Sequence, residues 1–270
     1  MDLFNAIILG LVQGLTEFLP VSSSGHLVLT QKILGVDDQG VTFEIVLHFG
    51  TLLSVIIYFW KPLWRMVLAI LPPFKKEYAR DRKMIFFLAI ARIPAAIGRI
   101  FFPRKELLGS GGWRKPAMVG LLLIVTGLLL FLPRLLAKRK RKAGDIGVKS
   151  AIAMGLGQAF AILPGVSRSG STIVAGMVAG AKSSAAASFS FLMAIPAIAA
   201  AAVLEVKHLG AIESGVLTSY LVGAVVAFAS GLLAIFTVLA AIRKGKFEYF
   251  GIYCLVAGAA AFLYFTYGVA

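Results

Sequence analysis

The chain alternates long apolar segments with short, basic ones. Six segments of about 20 residues are nearly free of charge, at residues 41–60, 84–102, 117–136, 186–206, 217–241 and 248–268. An α-helix needs about 20 apolar residues to cross roughly 30 Å of hydrocarbon. Charged residues make up only 14% of the chain, whereas soluble domains have roughly 25%. The sequence therefore predicts an all-α polytopic membrane protein with six transmembrane helices.

Most basic residues lie in three of the five loops between these segments. Loops 61–83, 137–149 and 242–247 together carry sixteen Lys and Arg residues, and loops 103–116 and 207–216 carry five. The positive-inside rule places the first set in the cytoplasm and the second set outside. The net charge of +15 is therefore explained by membrane topology, and we expect no nucleic-acid partner.

The N-terminal sequence and the cysteine content argue against a signal peptide, a disulfide and a cysteine-rich metal site. The stretch MDLFNAIILG has no basic n-region and a polar cluster follows it, so we expect no cleavable signal peptide. The single cysteine, Cys254, lies in an apolar run. One thiol excludes an internal disulfide and a multi-cysteine metal site.

Two polar clusters interrupt the apolar sequence, and an internal repeat relates them. A shift of 145 residues aligns GLVQGLTEFLPVSSSGHLV (10–28) with GLGQAFAILPGVSRSGSTI (155–173), with seven identities in nineteen positions. The identities include rare polar residues and a glycine, pairing Gln13, Ser22, Ser24 and Gly25 with Gln158, Ser167, Ser169 and Gly170. The chain thus divides into repeat 1, about 1–136, and repeat 2, about 145–270, each with one cluster followed by three spans.

Three spans per half make the two halves enter the membrane from opposite sides. This inverted-topology repeat places a site near the midplane, where the halves meet. This topology requires segments 1–40 and 145–185 each to enter the membrane and return to the side from which they came. Helix-breaking residues favour this, namely Pro20, Gly25, Pro164, Gly165 and Gly170. Irregular backbone at this depth must be buried in protein or line a wet cavity. We therefore predict a single membrane domain, 1–270, with two facing re-entrant helical hairpins.

The side chains of the two clusters suit phosphate chemistry. The clusters supply Gln13, Glu17, Ser22, Ser23, Ser24, His26, Ser167, Arg168, Ser169, Ser171 and Thr172. Arginine binds phosphate with two parallel hydrogen bonds, and helix N-termini offer free N–H groups to an anion. A serine beside His or Glu can act as a nucleophile, and a carboxylate can hold Mg²⁺ or Ca²⁺. The set indicates phosphate-ester or diphosphate chemistry; a P-loop motif and the ligands of a structural zinc site are absent from the sequence.

Each of these residues also has a structural interpretation. Serine and glycine in membrane helices often only allow close packing. Glu17 and Arg168 could form a closed ion pair, and His26 could be a buried imidazole with both nitrogens satisfied. Glu44 and His48 share one helix face, and they either support the site or form a pair at the membrane edge.

Two arginines inside the predicted span 84–102 need a separate explanation. Arg92 and Arg99 are seven residues apart and share a helix face. An arginine near the end of a span can extend its charge to the interface. Arg92 lies too deep for this, so we expect it to line the polar cavity.

At these residues the sequence resembles the undecaprenyl-diphosphate phosphatase family, the bacitracin-resistance type of bacterial membrane enzyme. The two motifs read QGLTEFLPVSSSGH (13–26) and PGVSRSGST (164–172), and the similarity continues through FEIVLHFGTLLSV, IPAAIG and FSFLMAIPA. The sequence departs from the family at Arg92 and Arg99, which flank IPAAIG where mainly small or apolar residues are expected. The stretch KSSAAAS (182–188) is also poorer in charge than usual.

The resemblance implies hydrolysis of undecaprenyl diphosphate to undecaprenyl phosphate and inorganic phosphate. It also implies assistance by a divalent cation, Mg²⁺ or Ca²⁺, and a site facing the extracytoplasmic side of the bacterial plasma membrane. The reaction would recycle the lipid carrier for cell-wall synthesis and confer resistance to bacitracin.

By this resemblance the catalytic candidates are Glu17, Ser23, His26 and Arg168. Ser23 would be the nucleophile or would position a water, and His26 or Glu17 would be the base. Arg168 would stabilise charge on the transferred phosphoryl group, and Glu17 could also bind the metal. The substrate-binding candidates are Gln13, Ser22, Ser24, Gly25, Ser167, Ser169, Gly170 and Thr172.

The alternative function is a polyprenyl-phosphate flippase or anion transporter that uses the same midplane cavity. The inverted repeat supports it, because carriers often have this architecture. A carrier needs a binding site but no nucleophile, so Ser23 beside His26 and Glu17 favours the enzyme. A purely structural scaffold would not explain polar clusters at matching points of a repeat. A homodimer is compatible with the sequence, which does not determine the oligomeric state.

Overall fold

The computed structural model describes residues 2–36, 40–73, 75–101, 115–136, 144–209 and 214–268. At residues 40, 41, 99, 100, 201, 202, 204–209 and 214 only the backbone is described. Within the described residues the structure is helical, and the sole β-type pairing is an isolated bridge between Gly144 and Ala181. The predicted all-α class is confirmed.

The first half of the chain contains six α-helices in its described residues, and a 3₁₀-helix at Lys76–Tyr78 precedes the fifth. The α-helices are α1 Leu3–Phe18, α2 Ser23–Ile33, α3 Gly40–Tyr58, α4 Trp60–Ile70, α5 Ala79–Phe101 and α6 Pro116–Leu136. Helix α1 begins at the N-cap Asp2, whose side chain accepts the amide hydrogen of Asn5 at 2.7 Å. Such a cap satisfies one of the free N–H groups in the first turn.

The second half contains five further helices in its described residues. They are α7 Val148–Phe160, α8 Arg168–Val178, α9 Ser183–Leu209, α10 Ser214–Arg243 and α11 Glu248–Leu263. A π-helical turn, Tyr264–Gly268, extends α11. Each half therefore has a short helical pair followed by three long helices, and the first half has the additional short helix α4 between the first two long ones.

Several of these helices are long and apolar enough to span a bilayer. Four meet this criterion within the described residues, namely α6, α9 over Ser183–Ala200, α10 over Gly215–Arg243 and α11 with its extension to Gly268. A fifth results if α3 and α4 are counted as one broken span. Helix α5 corresponds to the predicted span 84–102 but is not among them. The protein is an integral membrane protein, and the number of six spans stays a prediction.

Helix α4 corrects the prediction that residues 61–83 are a loop. It follows α3 directly and is bent by 77° from it. Trp60 and Trp64 stack at 5.9 Å on its exposed face, and Arg65 pairs with Asp81 at 3.0 Å. Apolar and basic residues on one short helix are typical of a segment lying at the membrane surface. A search for apolar runs of 20 residues overlooks such a helix.

The two polar clusters lie at the turns of two helical hairpins, α1–α2 and α7–α8, and these turns contact each other. A Cβ atom added to Gly25 would lie 3.1 Å from the Cα atom of Gly165. The hydroxyl of Ser169 donates to the carbonyl of Leu19 at 2.8 Å. The predicted hairpins are thus present and facing, and their entry into a membrane stays a prediction.

Helices of each half pack against helices of the other half, and equivalent pairs occur in both directions. Helix α1 packs on α10, and its counterpart α7 packs on α5, the counterpart of α10. The first long helices, α3 and α9, contact each other, and so do the last ones, α6 and α11. Two halves related by a two-fold axis produce such an exchange. Each half therefore buries apolar helix faces against the other, and the single domain 1–270 stays a prediction.

Close backbone contacts hold α3 against α10. A Cβ atom on Gly50 would lie 2.3 Å from the carbonyl oxygen of Ala224, closer than any real Cβ contact. At the end of α3, Phe59 contacts the ring of Phe191 in α9 at a centroid distance of 6.4 Å, and Phe18 of α1 contacts the same ring at 5.4 Å. Small residues at helix crossings allow this approach in membrane proteins.

We expect Gly50→Ala to destabilise the protein, because the added methyl group must push two backbones apart. Overpacking of this kind costs about 1–3 kcal/mol. The measurement is the free energy of unfolding of the purified protein in mixed micelles. Gly215→Ala, in α10, is the matched control, since nothing lies within 4 Å of its Cβ position. Equal stability of the two variants would contradict the tight crossing.

Candidate active site

A small polar cavity of about 60 Å³ lies where the two hairpin turns meet. Its lining residues come from both halves and are Glu17, Ser22, Ser23, Ser24, Ala161, Val166, Ser167, Arg168 and Ser169. Seven of these nine are polar or charged side chains. The cavity has room for a phosphate group and is far too small for a C55 chain, so the chain of such a lipid would lie outside it.

Glu17 is the central residue of this site. It lies in the last turn of α1 and is 7% exposed. Its Oε2 atom accepts hydrogen bonds from Ser23 Oγ at 2.6 Å and from Gln13 Nε2 at 3.1 Å. Because Gln13 and Glu17 are four residues apart on a helix, they share a face, as predicted.

The backbone at Ser22 directs Ser23 toward Glu17. Ser22 is the N-cap of α2 and has φ of 71°, in the left-handed region that non-glycine residues rarely adopt. Its hydroxyl accepts from the amide of Gly25 at 3.4 Å. Such a conformation costs about 1–3 kcal/mol and occurs preferentially at functional sites.

The second hairpin repeats the serine cap but not the positive φ, since Ser167 has φ of −69°. Ser167 is the N-cap of α8, and its hydroxyl accepts from the amide of Gly170 at 3.0 Å. The residue that follows the cap is Arg168, in the position that Ser23 occupies in the first hairpin. Its Nη2 atom donates to Glu17 Oε1 at 2.6 Å. Equivalent positions of the two repeats thus bind the two oxygens of one carboxylate.

Free backbone amides are the second feature of the cavity. At the start of α2 and of α8, the amides of Ser23, Ser24, Arg168 and Ser169 have no acceptor among the described residues. The amides of the two glycines, in contrast, are taken up by the serine caps. Two facing helix N-termini thus present serine and arginine amides that can donate to an anion, and the binding of an anion there stays a prediction.

His26 is placed differently from the other catalytic candidates. Its Nδ1 atom is 2.8 Å from the carbonyl oxygen of Ser22, and its Nε2 atom is 2.7 Å from the hydroxyl of Tyr253. The ring also stacks on Tyr253 at 5.6 Å. Both ring nitrogens are thus occupied away from Ser23 and Glu17. The structure brings Glu17, Ser23 and Arg168 together but not His26.

The substrate-binding candidates divide into two groups. Ser22, Ser24, Ser167 and Ser169 line the cavity. The other four do not line the cavity, namely Gln13, Gly25, Gly170 and Thr172. Of these, Gln13 is connected to the site by its hydrogen bond to Glu17. The hydroxyl of Thr172 bonds to the carbonyl of Arg168 and lies 2.6 Å from the hydroxyl of Ser190. Thr172 therefore stabilises the first turn of α8 without lining the cavity.

His48 joins the site as a neighbour of Glu17. Its Nε2 atom is 3.7 Å from Glu17 Oε2, and its Nδ1 atom is 2.6 Å from the carbonyl oxygen of Glu44. Of the two interpretations of this pair, the structure favours a supporting role for His48. In the sequence, only the spacing of four residues between Glu44 and His48 indicated this role.

Three contact residues were not among the predicted site residues. Thr126 accepts from the amide of Ser167 at 3.0 Å and donates to the carbonyl of Gly165 at 2.9 Å, so it holds the second motif in place. Ser190 offers its carbonyl to Arg168 Nη1 at 3.4 Å. Tyr253 was the third. Single Thr, Ser and Tyr residues in apolar spans carry no sequence pattern that would have identified them.

The residues around Glu17 fit a hard divalent cation. Gln13 is fully buried, and its Oε1 atom has no hydrogen-bond partner among the described residues. A carboxylate, an amide oxygen and phosphate oxygens are the ligands that Mg²⁺ and Ca²⁺ prefer. The described residues contain no group of three or more His, Cys, Asp or Glu suited to a metal. A cation would therefore depend on substrate oxygens for much of its coordination.

Arg92 was expected to line the polar cavity, but it is not among the residues that line the cavity of about 60 Å³ between the hairpin turns. Its Nη2 atom donates to the carbonyl of Met193 in α9, and its side chain is partly buried. The side chain of Arg99 lies outside the described residues.

Comparison with known proteins identifies the family of this chain. A family described as bacitracin resistance protein BacA matches residues 6–260. An undecaprenyl-diphosphatase of Methanobrevibacter smithii is 40% identical, over 97% of this chain and 98% of that protein. Undecaprenyl-diphosphatases of Moorella thermoacetica and Syntrophotalea carbinolica are 38% and 40% identical, over 96% and 97% of this chain and 96% and 98% of theirs. The chain belongs to the family of the bacitracin resistance protein BacA.

Proposed function

We propose that this protein hydrolyses undecaprenyl diphosphate to undecaprenyl phosphate and inorganic phosphate. The observation that carries the proposal is the contact of Ser23 Oγ with Glu17 at 2.6 Å, beside Arg168 and four free amides. The relatives of this chain bear the name of that activity. The reaction would return the lipid carrier to cell-wall synthesis and confer resistance to bacitracin, as membership of the family implies.

In the proposed mechanism Glu17 is the base and Ser23 the attacking group. Ser23 Oγ, or a water that it holds, attacks the terminal phosphorus, and the proton passes to Glu17. The bond from this phosphorus to the bridging oxygen breaks, and undecaprenyl phosphate leaves. If Ser23 itself attacks, a water then releases inorganic phosphate from its oxygen. Glu17 is preferred to His26 as the base, since the nitrogens of His26 are occupied elsewhere.

Arg168 would exchange partners during this reaction. Its Nη2 atom pairs with Glu17 Oε1 at 2.6 Å. An entering diphosphate offers the guanidinium a more highly charged partner with matching geometry. The exchange would free Glu17 to accept a proton, and Arg168 with the amides of α2 and α8 would stabilise charge on the transferred phosphoryl group.

A divalent cation would be held by Glu17 and by the unpartnered Oε1 atom of Gln13. When bound, it would neutralise charge on the phosphate oxygens. His26 would have a positioning role, because it links the carbonyl of Ser22 to Tyr253 and so braces the start of α2.

The proposed location is the bacterial plasma membrane, with the cavity open to the extracytoplasmic side. The distribution of basic loops supports this orientation. The lipid tail would remain among the membrane lipids while its diphosphate enters the cavity between the hairpins. A homodimer stays a prediction.

We expect Ser23→Ala and Arg168→Lys to abolish most phosphate release from farnesyl or undecaprenyl diphosphate. Loss of the attacking hydroxyl or of the two-pronged guanidinium should lower kcat/KM by about 10²–10⁴-fold. Ser219→Ala, a buried serine of α10 outside the site, is the control and should retain activity. A folded parent that binds the diphosphate lipid without releasing phosphate would favour the carrier instead.

Removal of divalent cations by a chelator should stop the reaction, and Mg²⁺ or Ca²⁺ should restore it. The measurement is phosphate release against free cation concentration. We expect Gln13→Ala to raise the cation concentration needed for half-maximal activity, because one oxygen ligand is lost. Full activity of the parent in chelator would contradict the cation site.

Cysteine labelling tests the orientation. In a Cys254→Ser background, Lys115→Cys should react with a membrane-impermeant maleimide in intact cells, because its loop is predicted to lie outside. Lys244→Cys should react only after permeabilisation, since its loop is predicted to be cytoplasmic. The reverse pattern would invert the proposed topology.

A further inference from the structure

Arg92 carries a charge inside a predicted membrane span, where a charged group needs a compensating partner. It lies within α5, nine residues or about 14 Å before the end of the helix at Phe101. An arginine side chain cannot span this distance to the interface. Charged side chains at such depth are costly and usually face an interior cavity or a functional partner.

The described contacts leave the Nε atom of the Arg92 guanidinium unsatisfied. Arg92 donates through Nη2 to the carbonyl of Met193. Its Nε atom is buried and has no acceptor among the described residues, and the ion pairs of the described residues do not include Arg92. A single neutral carbonyl does not compensate a buried charge.

Arg92 and Arg168 hold neighbouring carbonyls on the same face of α9. Arg168 donates to Ser190, and Arg92 donates to Met193. Residues three apart in a helix share a face and are separated by about 4.5 Å along the axis. The two guanidinium groups therefore flank a single turn of α9, and Glu17 is the carboxylate that pairs with one of them.

We propose that Arg92 is a second anion-binding residue of the active site, which binds one phosphate of a diphosphate while Arg168 binds the other. Two guanidinium groups with one carboxylate leave an excess of positive charge, which suits a ligand with two linked phosphates better than one with a single phosphate. The inference rests on the proposed function for the identity of the ligand. It makes Arg92 a determinant of selectivity for diphosphate over monophosphate.

The test compares the binding of two non-hydrolysable lipids to the full-length protein in detergent at fixed Mg²⁺. The probes are farnesyl methylenebisphosphonate and farnesyl monophosphonate, measured by calorimetry. Arg92→Gln keeps a donor for the Met193 carbonyl and removes the charge. We expect it to weaken bisphosphonate binding about tenfold, the order of one charge-assisted hydrogen bond, and monophosphonate binding less than twofold. Arg92→Lys should recover part of the loss.

Arg134→Gln is the matched control. Arg134 pairs with Glu248, away from the hairpin turns, and its replacement should leave both affinities unchanged. Unchanged bisphosphonate affinity in a folded Arg92→Gln protein, or an equal loss for both probes, would overturn the proposal. The assay requires no turnover, so a parent that binds the bisphosphonate through Arg92 and releases no phosphate would refute only the hydrolase.

Discussion

A carboxylate buried inside a membrane protein is the constraint on which the site depends. Glu17 is costly at this position unless its charge is matched, and the match comes from both halves of the chain. Ser23 binds one oxygen and Arg168 the other, both at 2.6 Å. The hairpin turns must therefore meet, and the glycines at the turns permit the approach. Packing and chemistry impose the same requirement, because separating the halves would expose the carboxylate and the guanidinium to an apolar surrounding.

The repeat supplies two similar helix N-termini, and function arises where they differ. Each hairpin has a serine cap, a second serine two residues later and a glycine whose amide the cap satisfies. The residue between the serines is Ser23 in one half and Arg168 in the other. One half thus provides a hydroxyl and the other a permanent cation, and both bind Glu17. The repeat counterpart of Glu17 is the apolar Ile162. A symmetric scaffold with three unlike residues can hold an anion and also act on it.

Sequence reasoning predicted the elements well wherever a long-range pattern existed. The apolar runs identified the long helices, and the repeat identified the facing hairpins. It missed α4, since an 11-residue helix of mixed apolar and basic character falls below the length of a span. The polar motifs identified Glu17, Ser23 and Arg168 as neighbours. They did not identify Thr126, Ser190 or Tyr253, each of which is a lone polar residue in an apolar span and acquires its role only through packing.

The sequence by itself determined that this chain is an all-α membrane protein with two related polar clusters, because hydropathy and internal similarity are properties of residue order. Only the tertiary structure decided which groups touch. His26 is closer to Ser23 in the sequence than Glu17 is, yet Ser23 contacts Glu17. The positive φ of Ser22 turns Ser23 to Glu17, while Tyr253 holds His26 away. The pairing of Arg168 with Glu17, 151 residues apart, and of Arg92 with α9 depends on helix packing across the two halves. Contacts between distant segments follow from the geometry of that packing, which residue order alone does not specify.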